Sequence, residues 1–327
     1  MLMAMAGRHL KDMIAAYQRG DDLAFRRATQ AIIDEEEAKK HTTLARDLRH
    51  MLSAGSRQVT VEAHALPEPP RDRDSGISLV DLRPPGALSF SDMVFPVDLE
   101  ASLTALADEV NNWAILDSAG LPRRNRLLLH GPPGCGKTSI AAALATELGL
   151  PLATARIDSL MSSFLGETAA NLRLLFDFAA ATPCVLLLDE FDSLGKVRAD
   201  PADHGELRRV VNAVLQLIEN YRGSSFVVAA TNSPDMLDAA LWRRFDAVLE
   251  VPLPTTSEIE RLLTRRIPEL RLTGSLDAAA HRLTGLPHAA AECAIDAVRR
   301  RAVLAGRSVE QGDLEDGIRY ALGRPWV

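Results

Sequence analysis

The sequence is poor in cysteine and has no long apolar segment. Its 327 residues include three cysteines, Cys135, Cys184 and Cys293, which are far apart and odd in number. This usage argues against a disulfide framework and against metal-binding cysteine pairs, and it is typical of a reducing compartment. No run of about 18 apolar residues occurs, so no transmembrane helix is predicted. The first residues lack a basic leader and a long apolar core, so we predict no signal peptide and expect a cytoplasmic protein without a membrane partner.

Lysine is also scarce, since only five of the 37 basic residues are lysines. This bias reflects codon usage and carries no chemistry by itself, but it makes Lys137 conspicuous. The formal net charge is −7 and the pI is about 5.7. An acidic total argues against a dedicated nucleic-acid binder. Neither a helix-turn-helix pattern nor a dense basic stripe supports a DNA-remodelling function.

What the sequence does contain divides into four segments. Residues 1–55 carry apolar residues at helical spacing and predict a bundle of three short amphipathic helices, a docking module. Residues 56–88 are rich in proline and charge and predict a flexible linker. Residues 89–254 alternate short apolar runs with helical patterns, which is typical of an α/β domain. Residues 255–327 predict a second, all-helical domain.

Short apolar runs in the α/β segment predict the strands of a parallel sheet. The strongest are RLLLH at 126–130, CVLLLDE at 184–190 and SFVVAATN at 225–232, and weaker candidates lie at 152–157 and 247–254. Ligands of such domains bind at the carboxyl ends of the strands. The polar residues that end these runs are therefore candidate site residues.

A glycine-rich loop, GPPGCGKT, follows the first of these runs. It matches G-x-x-x-x-G-K-[ST] between a predicted strand and an alanine-rich predicted helix. The glycines allow backbone N–H groups to turn toward a phosphate, and the helix N-terminus adds its positive dipole end. Lys137 is expected to reach the β- and γ-phosphates, and the Thr138 hydroxyl is expected to bind Mg²⁺. The predicted nucleotide-binding residues of the loop are Gly131, Pro132, Pro133, Gly134, Cys135, Gly136, Lys137, Thr138 and Ser139.

Polar residues also end the second and third strong runs. Asp189 and Glu190 follow VLLL, so we expect Asp189 to hold a hydrated Mg²⁺ and Glu190 to polarise an attacking water. A strand followed by a solvated turn is the simpler interpretation of that stretch alone. Asn232 is expected to position the water or to sense the γ-phosphate, although an asparagine at a strand end is usually only a turn residue.

An arginine pair, Arg243 and Arg244, precedes the last strand candidate. A guanidinium stays charged and offers planar donors to phosphate oxygens, so the pair is a candidate arginine finger for nucleotide on a neighbouring subunit. A solvated helix end with a salt bridge is the other interpretation. The sequence leaves open which of the two arginines would face the neighbour.

Together these motifs resemble those of the AAA ATPases. GPPGCGKT, LLLDEFDSL, GELRRVVNAVLQLIEN, AATN and LDAALWRRFD occur in that family's order and spacing, over about residues 88–327. The resemblance implies the P-loop NTPase fold, a five-stranded parallel αβα domain followed by a helical lid, with ATP and Mg²⁺ as cofactors. It also implies a homo-oligomer, a hexameric ring, that remodels, unfolds or threads a protein substrate or activates a partner effector such as a protease.

Finer parts of the resemblance concern single positions. The arginine pair is similar to the compact form of katanin-like and spastin-like members, whereas the longer RPGRFD form is absent. FSDMVFP at 90–96 resembles the segment that packs around adenine. TGLPHAAAECA at 284–294 is similar to the family's GFSGADLEAL turn, where His288 is expected to cap the helix or to lie near the nucleotide rather than to act as a catalyst.

The stretch SSFLGET lies before a helical pattern at 169–181. AAA remodellers carry their pore-lining loop at this place, and its pattern is an aromatic residue, an apolar residue and a glycine. The resemblance therefore implies that Phe164, Leu165 and Gly166 form a pore loop that grips an extended polypeptide. Inward packing of the apolar pair into the core is the alternative.

Two functional hypotheses follow from the sequence. The first is an ATP-driven protein remodeller. The second is a nucleotide-gated assembly switch that hydrolyses ATP slowly and recruits a partner through its N-terminal helices. Because Glu190, Asn232 and the arginine pair are all present, the sequence favours hydrolysis over a pure scaffold.

Overall fold

The computed structural model describes nine stretches of the chain, and it divides the chain into two compact units, 1–65 and 66–327. The described residues are 28–29, 32–33, 66–72, 75–86, 88–156, 165–192, 206–233, 242–267 and 276–326. In the first unit, Ala28, Thr29, Ile32 and Ile33 are helical, and Ile33 is fully buried. The other positions of the predicted docking module lie outside the described residues.

Within the described part of the second unit, six strands form a sheet in the order β1-β3-β4-β5-β2-β6. Their bounds are β1 Val80–Arg83, β2 Arg126–His130, β3 Leu152–Ala155, β4 Val185–Leu188, β5 Phe226–Thr231 and β6 Ala247–Glu250. Strands β2 to β6 run parallel, and β1 pairs with β3 in the antiparallel direction. The predicted P-loop NTPase sheet is thereby confirmed, with one additional edge strand.

Helices connect these strands and then form the C-terminal lid. Those of the α/β part are α1 Val97–Asn111, α2 Trp113–Ser118, α3 Lys137–Glu147, α4 Leu165–Ala181 and α5 Glu206–Asn220. Those of the lid are α6 Thr256–Arg266, α7 Leu276–Leu283, α8 His288–Leu304 and α9 Gln311–Leu322. None of the helices that the structure describes is long and apolar enough to cross a membrane.

The apolar core has three parts. One lies on the face of the sheet covered by α4 and α5, where Leu128 packs with Leu175 and Ile218. The second lies on the opposite face under α1 and α3, where Leu127 and Leu129 point. The alternation along β2 shows why the run is apolar throughout, since both faces of a parallel sheet are covered. The third part fills the lid helices.

The predicted linker, 56–88, differs from the structure in its second half. Residues 80–83 form β1, and Leu79 and Val80 are buried. Upstream, the buried carboxylate of Asp72 accepts hydrogen bonds from the Ser75 hydroxyl at 2.7 Å and from Asn171 of α4 at 2.6 Å. The proline-rich composition predicts flexibility, but this burial and these bonds hold the segment on the α/β part.

Helix α4 also differs from its predicted range, because it begins at Leu165 rather than at 169. Thr168 is 2% exposed, and Leu172, one turn later, is 3% exposed. The two therefore continue the buried face of the helix toward its N-terminus. Leu165 and Gly166 of the predicted pore loop consequently have helical backbone, whereas Phe164 lies outside the described residues.

Candidate functional site

A cavity of about 550 Å³ lies where the α/β part and the lid meet. Its floor consists of the loop after β2 together with Asp189, Glu190 and Asn232, which follow β4 and β5. Segment 92–96 and residues of α6 and α8 form its walls. The structure thus brings the three polar residues predicted at two strand ends to one edge of the sheet, beside the glycine-rich loop.

The glycine-rich loop is shaped by close backbone approach. Gly131 has a φ of +143°, and a Cβ there would lie 2.1 Å from the carbonyl oxygen of Val251. Only glycine fits this position, because no side chain can occupy that space. The Val251 N–H donates to the His130 carbonyl at 2.7 Å, which holds the loop against the end of β6. Residues 133–139 of the loop line the cavity, and helix α3 starts within it.

Lys137 is buried inside the loop that it belongs to. Its ammonium donates to the carbonyl oxygens of Gly131 at 2.7 Å and Pro132 at 2.8 Å. Burial lowers the pKa of Lys137, and the nearby carboxylates of Asp189 and Asp192 only partly oppose this effect. An ammonium has three N–H donors, so one donor remains for an oxygen of a ligand. An anion in the cavity would also favour the charged form of the lysine.

Thr138 and Asp189 form the polar floor of the cavity. The Thr138 hydroxyl donates to Asp189 Oδ2 at 2.7 Å, which joins the first turn of α3 to the end of β4. A hydroxyl and a carboxylate are the oxygen ligands that Mg²⁺ prefers, and it usually takes few protein ligands together with phosphates and waters. Among the described residues, no cluster of three or more His, Cys, Asp or Glu side chains could hold a metal ion by itself.

Glu190 has a left-handed backbone conformation with a φ of +48°. This conformation is uncommon for a residue with a side chain and costs on the order of 1–3 kcal/mol, and such strain clusters at functional sites. The Glu190 N–H donates to Asp189 Oδ1 at 2.9 Å, so the Asp189 side chain holds the turn that follows β4. The Glu190 side chain is exposed at the cavity.

Asn232 lies on the adjacent strand end. Its backbone N–H lies 3.4 Å from Asp192 Oδ1, and the Phe191 N–H donates to the Ala230 carbonyl at 2.8 Å. These two contacts fasten the turn that carries Glu190 to the end of β5. Glu190 and Asn232 therefore share one rim of the cavity.

The lid contributes residues that the motifs do not identify. The Ala289 N–H, in the first turn of α8, donates to the Gly134 carbonyl at 3.0 Å, so the lid contacts the glycine-rich loop directly. Arg266 and Glu292 pair at 3.2 Å between α6 and α8, and both line the cavity with Leu262. Helical periodicity predicts only the buried face of α6, so it gives no signal for Arg266.

His288, at the start of α8, also lines the cavity. Both of its ring nitrogens are buried, and neither has a hydrogen-bond partner of normal geometry among the described residues, although the backbone at Val94 is close enough to act on the imidazole. Burial lowers the pKa of His288, and the effect is only partly opposed by Glu258 and by the backbone at Val94. The imidazole is therefore held in its neutral form more strongly than an exposed histidine.

The two arginines of the predicted finger differ in their surroundings. Arg243 is exposed, whereas Arg244 is partly buried, with its Nε 3.3 Å from Glu219 Oε2 at the end of α5. A second ion pair, between Asp246 and Arg126 at 2.5 Å, fixes the chain just before β6. Neither member of the arginine pair is among the described residues that line the cavity.

Comparison with known proteins agrees with this geometry. The model of the ATPase family associated with various cellular activities (AAA) matches residues 127–253. The chain is 42% identical over 257 residues to an uncharacterized AAA family ATPase, y4kL, of Sinorhizobium fredii (strain NBRC 101917 / NGR234), covering 79% of this chain and 77% of the relative.

Two further relatives are longer than the region they share with this chain. An ATP-dependent zinc metalloprotease, FtsH 3, of Sphaerobacter thermophilus is 32% identical over 267 residues, which are 78% of this chain and 53% of the relative. A peroxisomal ATPase, pex6, of Schizosaccharomyces pombe is 36% identical over 180 residues, which are 52% of this chain and 19% of the relative. The motifs, the fold and the extent of the first match lead to one conclusion: the chain belongs to the AAA family of ATPases.

Proposed function

We propose that the chain binds ATP with Mg²⁺ in the cavity and hydrolyses it. The observation that carries this proposal is the hydrogen bond of 2.7 Å between Thr138 and Asp189, with the strained Glu190 next in the chain. Hydrolysis of a phosphoanhydride here requires three groups. They are a hydroxyl, a carboxylate that can hold a metal, and a second carboxylate that faces the cavity.

The loop residues bind and orient the phosphates. Backbone N–H groups of residues 134–138, at the N-terminus of α3, offer donors and the positive end of a helix dipole. Lys137 adds a fixed positive charge, while Thr138 and Asp189 would hold Mg²⁺. When bound, the ion neutralises charge on the phosphate oxygens. The lid and segment 90–96 enclose the base.

Glu190 and Asn232 act on the attacking water. Glu190 accepts the proton that the water loses as its oxygen bonds to the γ-phosphorus and the bond to the β-phosphate oxygen breaks. Asn232 orients the water through its side-chain amide. The turn contacts of Phe191 and Asp192 with β5 keep the two residues at a fixed separation.

A second copy of the chain completes the site in this proposal. Arg243 is exposed, and it is therefore the member of the pair that can reach the nucleotide of a neighbour. Arg244 instead pairs with Glu219 of its own subunit. Both remain candidates for the finger, because the ion pair of Arg244 with Glu219 is partly exposed and easily exchanged. The proposed assembly is a hexameric ring.

The proposed substrate is a polypeptide, or a partner effector such as a protease. One relative is an ATP-dependent zinc metalloprotease, which supports protein as the substrate class. The sequence FLG, an aromatic residue, an apolar residue and a glycine, supports a pore loop at Phe164, Leu165 and Gly166. Residues 1–55 are proposed to dock the substrate or partner, and the cytoplasm is the proposed location.

An unfolding assay tests the remodelling part of this proposal. The substrate is a destabilised fluorescent protein with a disordered tail, and loss of fluorescence is followed with ATP and with ADP. We expect unfolding only with ATP. Phe164→Ala should reduce unfolding on the order of tenfold or more while lowering ATP turnover far less, and Phe164→Tyr, which keeps an aromatic ring, should retain unfolding.

The same assay separates the remodeller from the nucleotide-gated switch. Slow ATP turnover without unfolding in the wild type would support a switch. If Phe164→Ala unfolds the substrate as fast as the wild type does, the pore-loop assignment fails and inward packing of this residue is favoured.

A further inference from the structure

The segment 89–96 forms one wall of the nucleotide cavity. Asp92, Met93, Val94 and Phe95 all line it. The segment starts with a single 3₁₀ turn, Phe90–Asp92, in which the side chains of Ser89 and Asp92 cap each other's backbone. One turn has little stability of its own, so its position depends on what holds it from outside.

Contacts with the α/β part hold the two ends of this wall. The Phe90 N–H donates to Glu147 Oε1 at the end of α3, with a distance of 3.0 Å. Phe95 is 4% exposed and packs in the core under α1 and α3. Met93 also packs against that core, whereas the carbonyl groups of Ser91 and Met93 are bonded from another side.

The lid contacts the middle of the wall, residues 91–94. Arg265, in the last turn of α6, donates through a single nitrogen, Nη1, to the carbonyl oxygens of Ser91 at 2.7 Å and Met93 at 2.8 Å. The next residue, Val94, is 5% exposed and packs in the apolar core of the lid. The wall is therefore bonded both to the α/β part and, through Arg265 and Val94, to the lid.

The chemistry of Arg265 suits this position. The carbonyl groups at the end of a short helical turn lack partners within the turn, and a cation satisfies two of them here. A guanidinium remains charged at every physiological pH, and bonds from a charged donor are stronger than bonds between neutral groups. Neither the glycine-rich loop nor the acidic strand ends contact Arg265 through a hydrogen bond within the described residues.

We propose that Arg265 is a positioning residue for nucleotide binding, which fastens the base-side wall of the cavity to the lid. The proposal rests on the proposed function, because it assumes that nucleotide occupies this cavity. Because Arg265 and Val94 join residues 91–94 to the lid, the affinity for nucleotide depends on the orientation of the lid. By linkage, bound nucleotide stabilises the same lid orientation to the same degree.

The test compares the wild type with Arg265→Ala, Arg265→Lys and a control, Arg282→Ala. Arg282 is exposed on α7 and has no role in the cavity. We expect Arg265→Ala to raise the dissociation constant for ADP and the KM for ATP by about tenfold, the loss expected for removing charge-assisted hydrogen bonds, while kcat changes much less. Arg265→Lys keeps an ammonium that can donate to both carbonyl groups and should stay within about threefold of the wild type.

ADP binding is measured by isothermal titration calorimetry on the full chain, and the melting temperature without nucleotide checks the fold. If Arg265 had only a general structural role, Arg265→Ala would lower the melting temperature, and it would not raise KM selectively over its effect on kcat. If Arg265→Ala binds ADP as tightly as Arg282→Ala does, the inference is overturned. A wild type that binds ADP but does not hydrolyse ATP would instead overturn the proposed function, and the ADP affinities would still decide the role of Arg265.

Discussion

At the residue scale, His288 combines two properties that are rarely found together. It lines the proposed nucleotide cavity, yet both ring nitrogens are buried, and neither has a hydrogen-bond partner of normal geometry among the described residues. A buried polar group without a partner costs about 1–3 kcal/mol, and a buried imidazolium costs more. The folded state therefore favours the neutral form of His288, and acidification should lower the free energy of unfolding.

We predict that the protein loses stability below about pH 6.5 in part through His288. Burial lowers the pKa of His288 in the folded state, so the unfolded chain gains the proton first as the pH falls. The contribution of His288 to the free energy of unfolding is fully present above the pKa of the unfolded state. It is lost as the pH falls toward the pKa of the folded state. Glu258 opposes the shift, and burial lowers the pKa of His130 in the same direction.

Urea unfolding of the wild type and His288→Phe at pH 7.5 and pH 5.5 checks this prediction. Each proton taken up on unfolding changes the free energy of unfolding by at most about 1.4 kcal/mol per pH unit. His288→Phe should have a smaller loss between the two pH values. Equal losses in the two proteins would show that His288 titrates alike in the folded and unfolded states.

The sequence predicts some of the site residues and misses others for a physical reason. Lys137 and Thr138 lie within one loop whose spacing alone indicates phosphate binding. Arg266, Glu292 and Arg265 lie on the lid, more than 100 residues further along the chain, and ordinary helical positions carry them. Their role depends on where α6 and α8 dock, which no local pattern encodes.

At the scale of elements, the packing of α8 on α9 depends on a glycine. A Cβ at Gly317 would lie 2.6 Å from Val298 Cγ2 and 2.7 Å from the Ala294 carbonyl oxygen. The two helices therefore approach too closely for a methyl group. Gly312, on the same helix α9, faces open space instead.

We predict opposite effects for alanine at these two glycines. Gly317→Ala should lower the free energy of unfolding by about 1–3 kcal/mol, because the helices must move apart. Gly312→Ala should be neutral or raise it by up to about 1 kcal/mol, because alanine restricts the unfolded chain. Urea denaturation followed by circular dichroism measures both, and a Gly317→Ala protein as stable as Gly312→Ala would contradict the packing argument.

The elements were predictable to unequal degrees. The runs that became β2, β4 and β5 are apolar because helices cover both faces of the sheet, so their signal is strong. Strand β1 is short and antiparallel at an edge, and the prolines around it favour a linker interpretation. Its order comes from pairing with β3 and from the buried Asp72, which are contacts distant in sequence.

At the scale of the whole molecule, the proposed active site requires two copies of the chain. One copy supplies the cavity with Lys137, Asp189, Glu190 and Asn232, and the next supplies the arginine pair. Within one copy, Arg244 pairs with Glu219, and neither arginine of the pair is among the described residues lining the cavity. The sequence indicates this arrangement only through its resemblance to a family of ring-forming ATPases.

A mixing experiment tests whether one active site takes residues from two copies of the chain. ATP turnover is measured for the wild type, for Glu190→Gln, for the double variant Arg243→Ala and Arg244→Ala, and for an equal mixture of the two variants. We predict that each variant alone loses about 100-fold or more of the wild-type turnover. The mixture should regain a substantial part of it, because a subunit with Glu190 can then receive arginines from its neighbour. Wild-type turnover by Glu190→Gln alone, or a mixture no more active than its components, would contradict the account.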